Sequence, residues 1–361
     1  TAATTVIRAA VPATVIVPCK GTPEHLALNV GSILEQDYPA EAEFIFVVPS
    51  RTDPAWEALQ EVLHGYPAVR TKLVVSDAVP STCGEHILNM LCGVDNASQS
   101  SEALVFANND IKVPPSWLID MTGPLRDPAT GAVTAPLIFL PGATGLCKAL
   151  RCAWEAVGIP YLDLTGCVAG ASFAIMRKSY TELGIEELWR KSLSDDLALS
   201  RRLKKSDKTV RLAYQAMPTS EERCAFGPLL GTFNRWMVFF KFYFPRVWVL
   251  GAVLTAFKFY AVYWSAYRQM WLPAAILFAI DSAHIYLALC ALKFCRPVEF
   301  AGMRAPYATV FPAIAVISAP LLQLLYAVNF ISSAFAARVR WSGYTYRIRA
   351  WDRITVESGK G

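Results

Sequence analysis

Two acidic stations and one basic one carry the chemistry this chain can offer. Asn108-Asn109-Asp110 follows the apolar run Ala103–Ala107, which reads as a buried strand. Ligands of open α/β sheets lie beyond the carboxyl ends of strands. A carboxylate there can hold Mg²⁺ or Mn²⁺ through oxygen ligands while the ion bridges a diphosphate. One Asp with two Asn brings less charge than two carboxylates, and Asn-Asn-Asp is also ordinary turn chemistry. Ser194-Asp195-Asp196 opens a helical segment, where Ser caps and acids in the first turn are favoured on structural grounds alone. Two adjacent carboxyls can equally tune one another and supply a general base. Asp53, in Ser50-Arg51-Thr52-Asp53-Pro54, can cap the helix that Pro54 begins or contact a nucleotide base or ribose. Arg235-Trp236 offers a guanidinium fork for phosphate and an indole for an acceptor groove. The alternative is interfacial anchoring of a membrane helix. Asp281 and His284 fall within a long apolar run, where ionisable groups are functional candidates. A helix–helix hydrogen bond is the plainer reading.

The elements that must hold these residues are legible from hydrophobic period. Ala13–Pro18 reads as a buried strand, and Leu26, Val30, Ile33 and Leu34 recur at helical spacing after a loop through Lys20 and Gly21. Glu43–Val48 is the next strand, Pro54 to about Leu63 a helix, Thr71–Ser76 a strand and Glu85–Val94 a helix leading to Ala103–Ala107. Val133–Phe139 and Val168–Met176 read as further strands, and a helix runs from Ser194 to about Lys205. Alternating strands and helices predict a three-layer α/β domain with a largely parallel sheet.

After about residue 230 the chain changes character. Arg235–Phe244, RWMVFFKFYF, suits a helix in the headgroup region, with rings at the interface and cations snorkelling. Val247–Tyr267 and Met270–Leu292 are each long enough to span a bilayer of roughly 30 Å, and their short connection predicts an antiparallel hairpin. Thr309–Ala337 is longer than one span needs and contains Pro312 and Pro320. Lys241, Arg246, Lys293, Arg296 and Arg304 place the soluble part in the cytoplasm. Arg338, Arg340, Arg347, Arg349 and Arg353 favour the same side for the tail. That requires the third segment to enter and leave by one face, with the prolines as its break; the alternative is a simple third span. The expected organisation is a catalytic domain over 1–230, an interfacial helix over 231–246, a membrane region over 247–337 and a basic tail over 338–361.

Composition agrees. Of 361 residues 54% are apolar and only 17% charged, too apolar for a wholly soluble protein. The net charge of +5 is mild and gives no reason to expect nucleic acid as a partner. Nine cysteines follow no zinc-binding spacing, and those such as Cys290 and Cys295 read as small buried thiols. The chain contains no G-x-G-x-x-G after its first strand, no phosphate-binding G-x-x-x-x-G-K-[ST] and no G-x-S-x-G. Dehydrogenase, nucleotide hydrolase and lipase chemistry are thereby disfavoured.

Ile16-Val17-Pro18 with Gly21, followed by Ser32-Ile33-Leu34-Glu35-Gln36-Asp37-Tyr38-Pro39, resembles the opening of inverting nucleotide-sugar glycosyltransferases of the GT-A type. Within that group the chain is most similar to the ceramide glucosyltransferase family and its bacterial relatives. The similarity continues through Asp53-Pro54-Ala55, Asn108 to Val113, Gly170 with Met176-Arg177-Lys178, Asp195-Asp196, Arg235-Trp236 and the tail from Val339 to Ile348. The resemblance implies a multi-pass membrane enzyme with its catalytic domain on the cytoplasmic side. It implies transfer of a sugar from a nucleotide donor, expected to be a UDP-sugar, to a lipid hydroxyl. Asp196 would be the general base beside Asp195, Asp110 would hold a divalent cation, and Arg235 with Trp236 would complete the catalytic set. Pro18, Lys20, Gly21, Asp53, His86, Asn108 and Asn109 would bind the nucleotide sugar. The chain departs from the family pattern at Ser50, where an acid is expected, and in Asn108-Asn109-Asp110, where Asp-x-Asp is expected. Thr232 replaces a Gln or Arg, and His86 stands in place of a Lys. These departures bear on metal, nucleotide and sugar, not on the fold. A polysaccharide synthase of the same fold and a degenerate lipid- or nucleotide-binding membrane protein are the alternatives.

Overall fold

The structure is a computed structural model that describes residues 10–139, 146–220, 224–295 and 307–359. In chain order its elements are β1 Ala13–Pro18, α1 Leu26–Leu34, β2 Ala42–Val48, α2 Pro54–His64, β3 Thr71–Val75, α3 Glu85–Asp95 and β4 Ala103–Ala107. There follow α4 Trp117–Thr122, β5 Thr130–Thr134, β6 Ile138–Phe139, α5 Leu146–Thr165, β7 Ser172–Met176, α6 Arg177–Glu182, α7 Ile185–Trp189 and α8 Asp195–Leu203. The remainder is β8 Thr209–Leu212, β9 Thr219–Ser220, α9 Phe226–Tyr243, α10 Pro245–Tyr267, α11 Trp271–Cys295, α12 Tyr307–Phe335, β10 Arg338–Trp341, β11 Tyr344–Ala350 and β12 Arg353–Ser358. Two compact units form, neither continuous in sequence. One comprises 1–137, 162–222 and 340–361; the other comprises 138–161 and 223–339.

The first unit is built on a seven-stranded sheet in the order β3-β2-β1-β4-β7-β5-β8. The β3-β2-β1-β4 half is parallel, β7 runs antiparallel to both β4 and β5, and β5 and β8 are parallel. Strands β1 and β4 are buried from end to end, the pattern of central parallel strands covered on both faces. Helix α3 packs on β1 so tightly that a Cβ on Gly93 would lie 2.3 Å from Ile16 Cγ2. Phe106, Phe173 and Trp189 fasten β4, β7 and α7 through ring contacts at 4.9 and 5.2 Å. The chain winds from β1 outward to β3, then returns to place β4 on the other flank of β1. Strand order therefore reverses between β1 and β4, and the crevice beyond their carboxyl ends is where such sheets bind ligands.

Two expected strands are shorter in the structure. The run Val133–Phe139 is divided at Pro136, which has no N–H to give a ladder. Residues 168–171 are not strand because their backbone groups are spent elsewhere. Val168 N–H donates to Ser200 Oγ (2.9 Å), Ala169 N–H to Thr134 Oγ1 (2.9 Å), and Ala171 O accepts from Asn108 N–H (3.1 Å). The C-terminal residues form a small sheet, β10-β11-β12, and residues 340–361 belong to the first unit. Its tight turn, Ser342-Gly343, has φ of +54° and +84°, as a two-residue hairpin of primed type requires.

The second unit is helical. Pro245–Tyr267, Trp271–Cys295 and Val310–Phe335 are three helices long and apolar enough to cross a membrane. Helix α10 exposes Leu250, Val253, Leu254 and Phe257, a surface suited to lipid. Lys258 Nζ pairs with Asp281 Oδ1 at 2.7 Å between α10 and α11, which is the inter-helix bond anticipated for Asp281. His284 lies 6.0 Å from the Tyr161 ring of α5. Helix α12 runs unbroken through Pro312 and Pro320, so it lacks the proline break on which a re-entrant path depends. At its end, Lys241 donates to the carbonyls of Ser333, Ala334 and Ala336, satisfying acceptors that a helix terminus leaves over. Trp248 Nε1 donates to Ser333 Oγ at 3.0 Å, so the C-terminus of α12 lies where α9 passes into α10. Arg296 and Arg304, used above to orient the chain, lie outside the described residues.

Candidate active site

The β1 end of the crevice is shaped by its backbone. Beyond Pro18 and the buried Cys19, Gly21 takes φ +64°, which a side chain would oppose. Its N–H donates to Asp53 Oδ1 at 2.7 Å, and the same oxygen accepts from Ala55 N–H at 3.0 Å as the N-cap of α2. Asp53 is thus both a cap and a brace for the β1 loop. Lys20 reaches across to α3, where its ammonium pairs with Glu85 and donates to Ser342 O, with the Tyr344 ring 5.4 Å away. Its charge is occupied by protein groups in this arrangement.

At the β4 end, Asn108, Asn109 and Asp110 are half-buried in consecutive positions. Asn29 Nδ2 donates to Asn109 O at 3.3 Å, while Asn109 Nδ2 is buried without a hydrogen-bond partner among the described residues. No group of three His, Cys, Asp or Glu gathers around a common point among the described residues. The oxygens on offer are the Asp110 carboxylate and the flanking amide carbonyls, a hard donor set that fits Mg²⁺ or Mn²⁺. Such ions commonly take one or two carboxylates and complete their shell with substrate phosphate and water. The orphaned Asn109 amide suits a phosphate oxygen.

The third station is the start of α8. Ser194 is the N-cap, and its hydroxyl donates to Asp196 Oδ1, which also accepts from Leu197 N–H at 2.7 Å. Those bonds fall on one oxygen. The other, Oδ2, faces Gly170, where an added Cβ would stand 3.0 Å away. Glycine at 170 is what leaves this carboxyl room. Asp195 is buried, with Oδ2 lacking a partner among the described residues, and its carbonyl accepts from Trp189 Nε1 at 3.1 Å. Burial pushes Asp195 up to about 6, against stabilising backbone bonds. Burial, then the neighbouring Asp195 charge, pushes Asp196 up to about 7. A carboxyl poised there is the condition of a general base near neutral pH. His86 is held near 4, since burial outweighs the attraction of Asp196, Asp110 and Glu85. A neutral imidazole therefore sits within the field of both acidic stations.

Arg235 and Trp236 lie on α9 in the second unit. No element is expected from sequence over 146–165, yet α5 brings Arg151 to 4.8 Å from the Trp236 ring, held by Glu155 at 2.8 Å. Burial, then the charge of Arg151, lowers the proton affinity of Arg235. Two guanidinium groups close enough to repel one another suit an anion. Trp154 stacks on Phe233 (3.9 Å) and on Tyr326 (4.4 Å) in the same unit. The available signal for α5 was Leu150, Ala153, Ala156 and Val157 at helical spacing.

Comparison with known proteins adds the family. No curated protein matches the chain. Among solved structures, the mannosyltransferase PcManGT from Pyrobaculum calidifontis in complex with GDP-Man and Mn²⁺ is similar. The identity is 16%, the coverage 91% of this chain and 87% of that one, and the TM-score 0.49. Residues 2–354 match the family model of glycosyl transferase family 21. With that match running almost from end to end, over a seven-stranded α/β sheet, the chain belongs to glycosyl transferase family 21, the GT-A-like ceramide glucosyltransferase family.

Proposed function

We propose that the protein is a membrane-bound inverting enzyme that moves a sugar from a nucleotide donor to the hydroxyl of a ceramide-like lipid. The observation that carries this reading is the Asp196 carboxyl. One oxygen is fixed by Ser194 and Leu197, the other is left beside Gly170, and its proton affinity is raised to about 7. Asp196 accepts the proton of the lipid hydroxyl as that oxygen attacks the anomeric carbon from the face opposite the leaving diphosphate. The anomeric configuration is inverted in consequence.

Asp110 and the amide carbonyls of Asn108 and Asn109 hold a divalent cation, which when bound neutralises charge on the diphosphate. Asn109 Nδ2 donates to a phosphate oxygen. Asp53 fixes the β1 loop, so that Pro18 and Gly21 shape the floor under a UDP-type nucleotide, and His86 packs beside the sugar. The resemblance assigns Arg235, flanked by Trp236, to the charge of the departing diphosphate. The three apolar helices keep an amphiphilic acceptor in the bilayer, with the catalytic domain on the cytoplasmic side where nucleotide sugars are held.

The test is mass spectrometry of lipids after incubating the purified protein, in ceramide-containing vesicles, with UDP-glucose, UDP-galactose, UDP-N-acetylglucosamine and GDP-mannose. A lipid product heavier by one sugar residue is expected with one donor. Nucleotide release without a glycolipid would overturn the lipid acceptor, and a product of retained configuration would overturn the direct displacement.

A further inference from the structure

We propose that Trp341, contributed by the C-terminal sheet, forms an aromatic wall of the donor-sugar subsite and sets which sugar is accepted. The inference deepens the transferase reading above and rests on it. Its basis is where the turn of β10 and β11 is fastened. A Cβ added to Gly84, the residue before α3, would stand 3.1 Å from Leu193 Cδ1 and 3.6 Å from Trp341 Cζ3. Gly84 N–H also donates to Ser192 O at 3.2 Å. The indole is thus one glycine away from Leu193, in the segment that leads into Ser194-Asp195-Asp196. On its next flank it meets His86, ring centres 5.6 Å apart and tilted by 38°.

This placement is built. Lys20 donates to Ser342 O while paired with Glu85, and Glu85 N–H donates to the hydroxyl of the fully buried Tyr346 at 3.2 Å. Ser342 takes the left-handed backbone that a side chain normally avoids, so the turn is held against a local cost. A sheet needed only to cover the domain is already fastened at Trp351, 4.8 Å from the Arg201 guanidinium. The additional fastening at Lys20, Glu85 and Tyr346 fixes Trp341 at the crevice.

The chemistry follows from what must lie there. The donor's anomeric carbon stands between the group that holds the diphosphate, Asp110, and the group that takes the acceptor's proton, Asp196. His86 lies within the field of both, and Trp341 packs against His86. A hexose presents a face of C–H bonds, and a half-buried indole offers a flat apolar surface whose electron-rich face receives it. The arrangement of hydroxyls decides how flush that face can lie, so the wall discriminates between sugars.

The experiment compares full-length wild type, Trp341→Phe and Trp341→Leu in detergent, by calorimetric binding of UDP, UDP-glucose, UDP-galactose, UDP-N-acetylglucosamine and GDP-mannose. Trp341→Leu is expected to weaken the preferred nucleotide sugar about tenfold while changing UDP less than twofold, and Trp341→Phe to recover most of the loss. Trp351→Leu, on the same sheet, is the control and is expected to leave the ratio of nucleotide sugar to UDP unchanged. Equal weakening of UDP and nucleotide sugar would assign Trp341 to packing and overturn the inference, as would unchanged binding of both. A wild type that binds none of the nucleotide sugars would overturn the transferase reading and the inference together.

Discussion

Replacing Asp196 by Asn separates what this carboxyl does for catalysis from what it costs the fold. Its affinity for a proton is raised from 3.8 to about 7, chiefly by burial. At about 1.4 kcal/mol per pH unit, ionising it in the folded chain costs roughly 4 kcal/mol more than in the unfolded one. Partial solvent access trims this to ~2–3 kcal/mol. The sign follows from linkage. The folded chain binds this proton more tightly than the unfolded one, so the contribution favours folding below about pH 4, is lost as pH rises through about 7, and is flat above. Asn carries no charge at any pH. The variant should therefore melt higher than wild type at pH 8 by about 5–10 °C, and the difference should vanish near pH 4. Its turnover should fall by about 10²–10⁴, the range for loss of a general base, while donor binding persists. Wild-type kcat should fall about tenfold per pH unit below 7 and level off above. Differential scanning fluorimetry across pH, beside initial rates, reads both quantities. A variant that melts lower than wild type at pH 8, or turns over at near-normal rate, refutes the assignment.

Gly170→Ala would push a methyl to 3.0 Å from Asp196 Oδ2, so kcat should fall tenfold or more with donor Kd unchanged; full activity would show that this oxygen is not the reacting one. Asp110→Asn removes the only carboxylate of its station and should raise the Mg²⁺ or Mn²⁺ concentration needed for half-maximal rate at least tenfold. Full wild-type activity in excess chelator would refute that cation role. Lys258→Met leaves Asp281 unpaired between two apolar helices and should lower the melting temperature, whereas Lys258→Met with Asp281→Leu should recover much of the loss. Additive effects of the two changes would mean that the pair is not coupled.

The first half of the fold was legible because its signals are local. From β1 to β4 each strand is a short run rich in apolar residues closed by Pro, Ser or Asn, and each helix carries an apolar stripe, so hydrophobic period alone finds them. The candidate stations Asn108-Asn109-Asp110 and Asp195-Asp196 are visible in sequence for the same reason: each is a short polar cluster at the edge of an element. The tail reads as a basic segment because five arginines dominate it. Yet Val339, Tyr346, Ile348 and Ile354 are buried while Arg338, Arg340, Arg347 and Arg349 alternate with the first three, which is the period of a half-buried strand. Charge and strand pattern coexist there, since one face of a small sheet can pack while the other stays wet. Lys20 marks where local reading ends. The resemblance puts Lys20, just past β1, among the residues that bind the nucleotide sugar, and its neighbours in sequence do not say what its ammonium meets. Its partners, Glu85 and Ser342, are 65 and 322 positions away and reach it only because topology sets α3 beside β1 and returns the C-terminus to the same crevice. What a cation at the carboxyl end of a strand pairs with depends on the nearest acceptor in space, and only the fold supplies that neighbour.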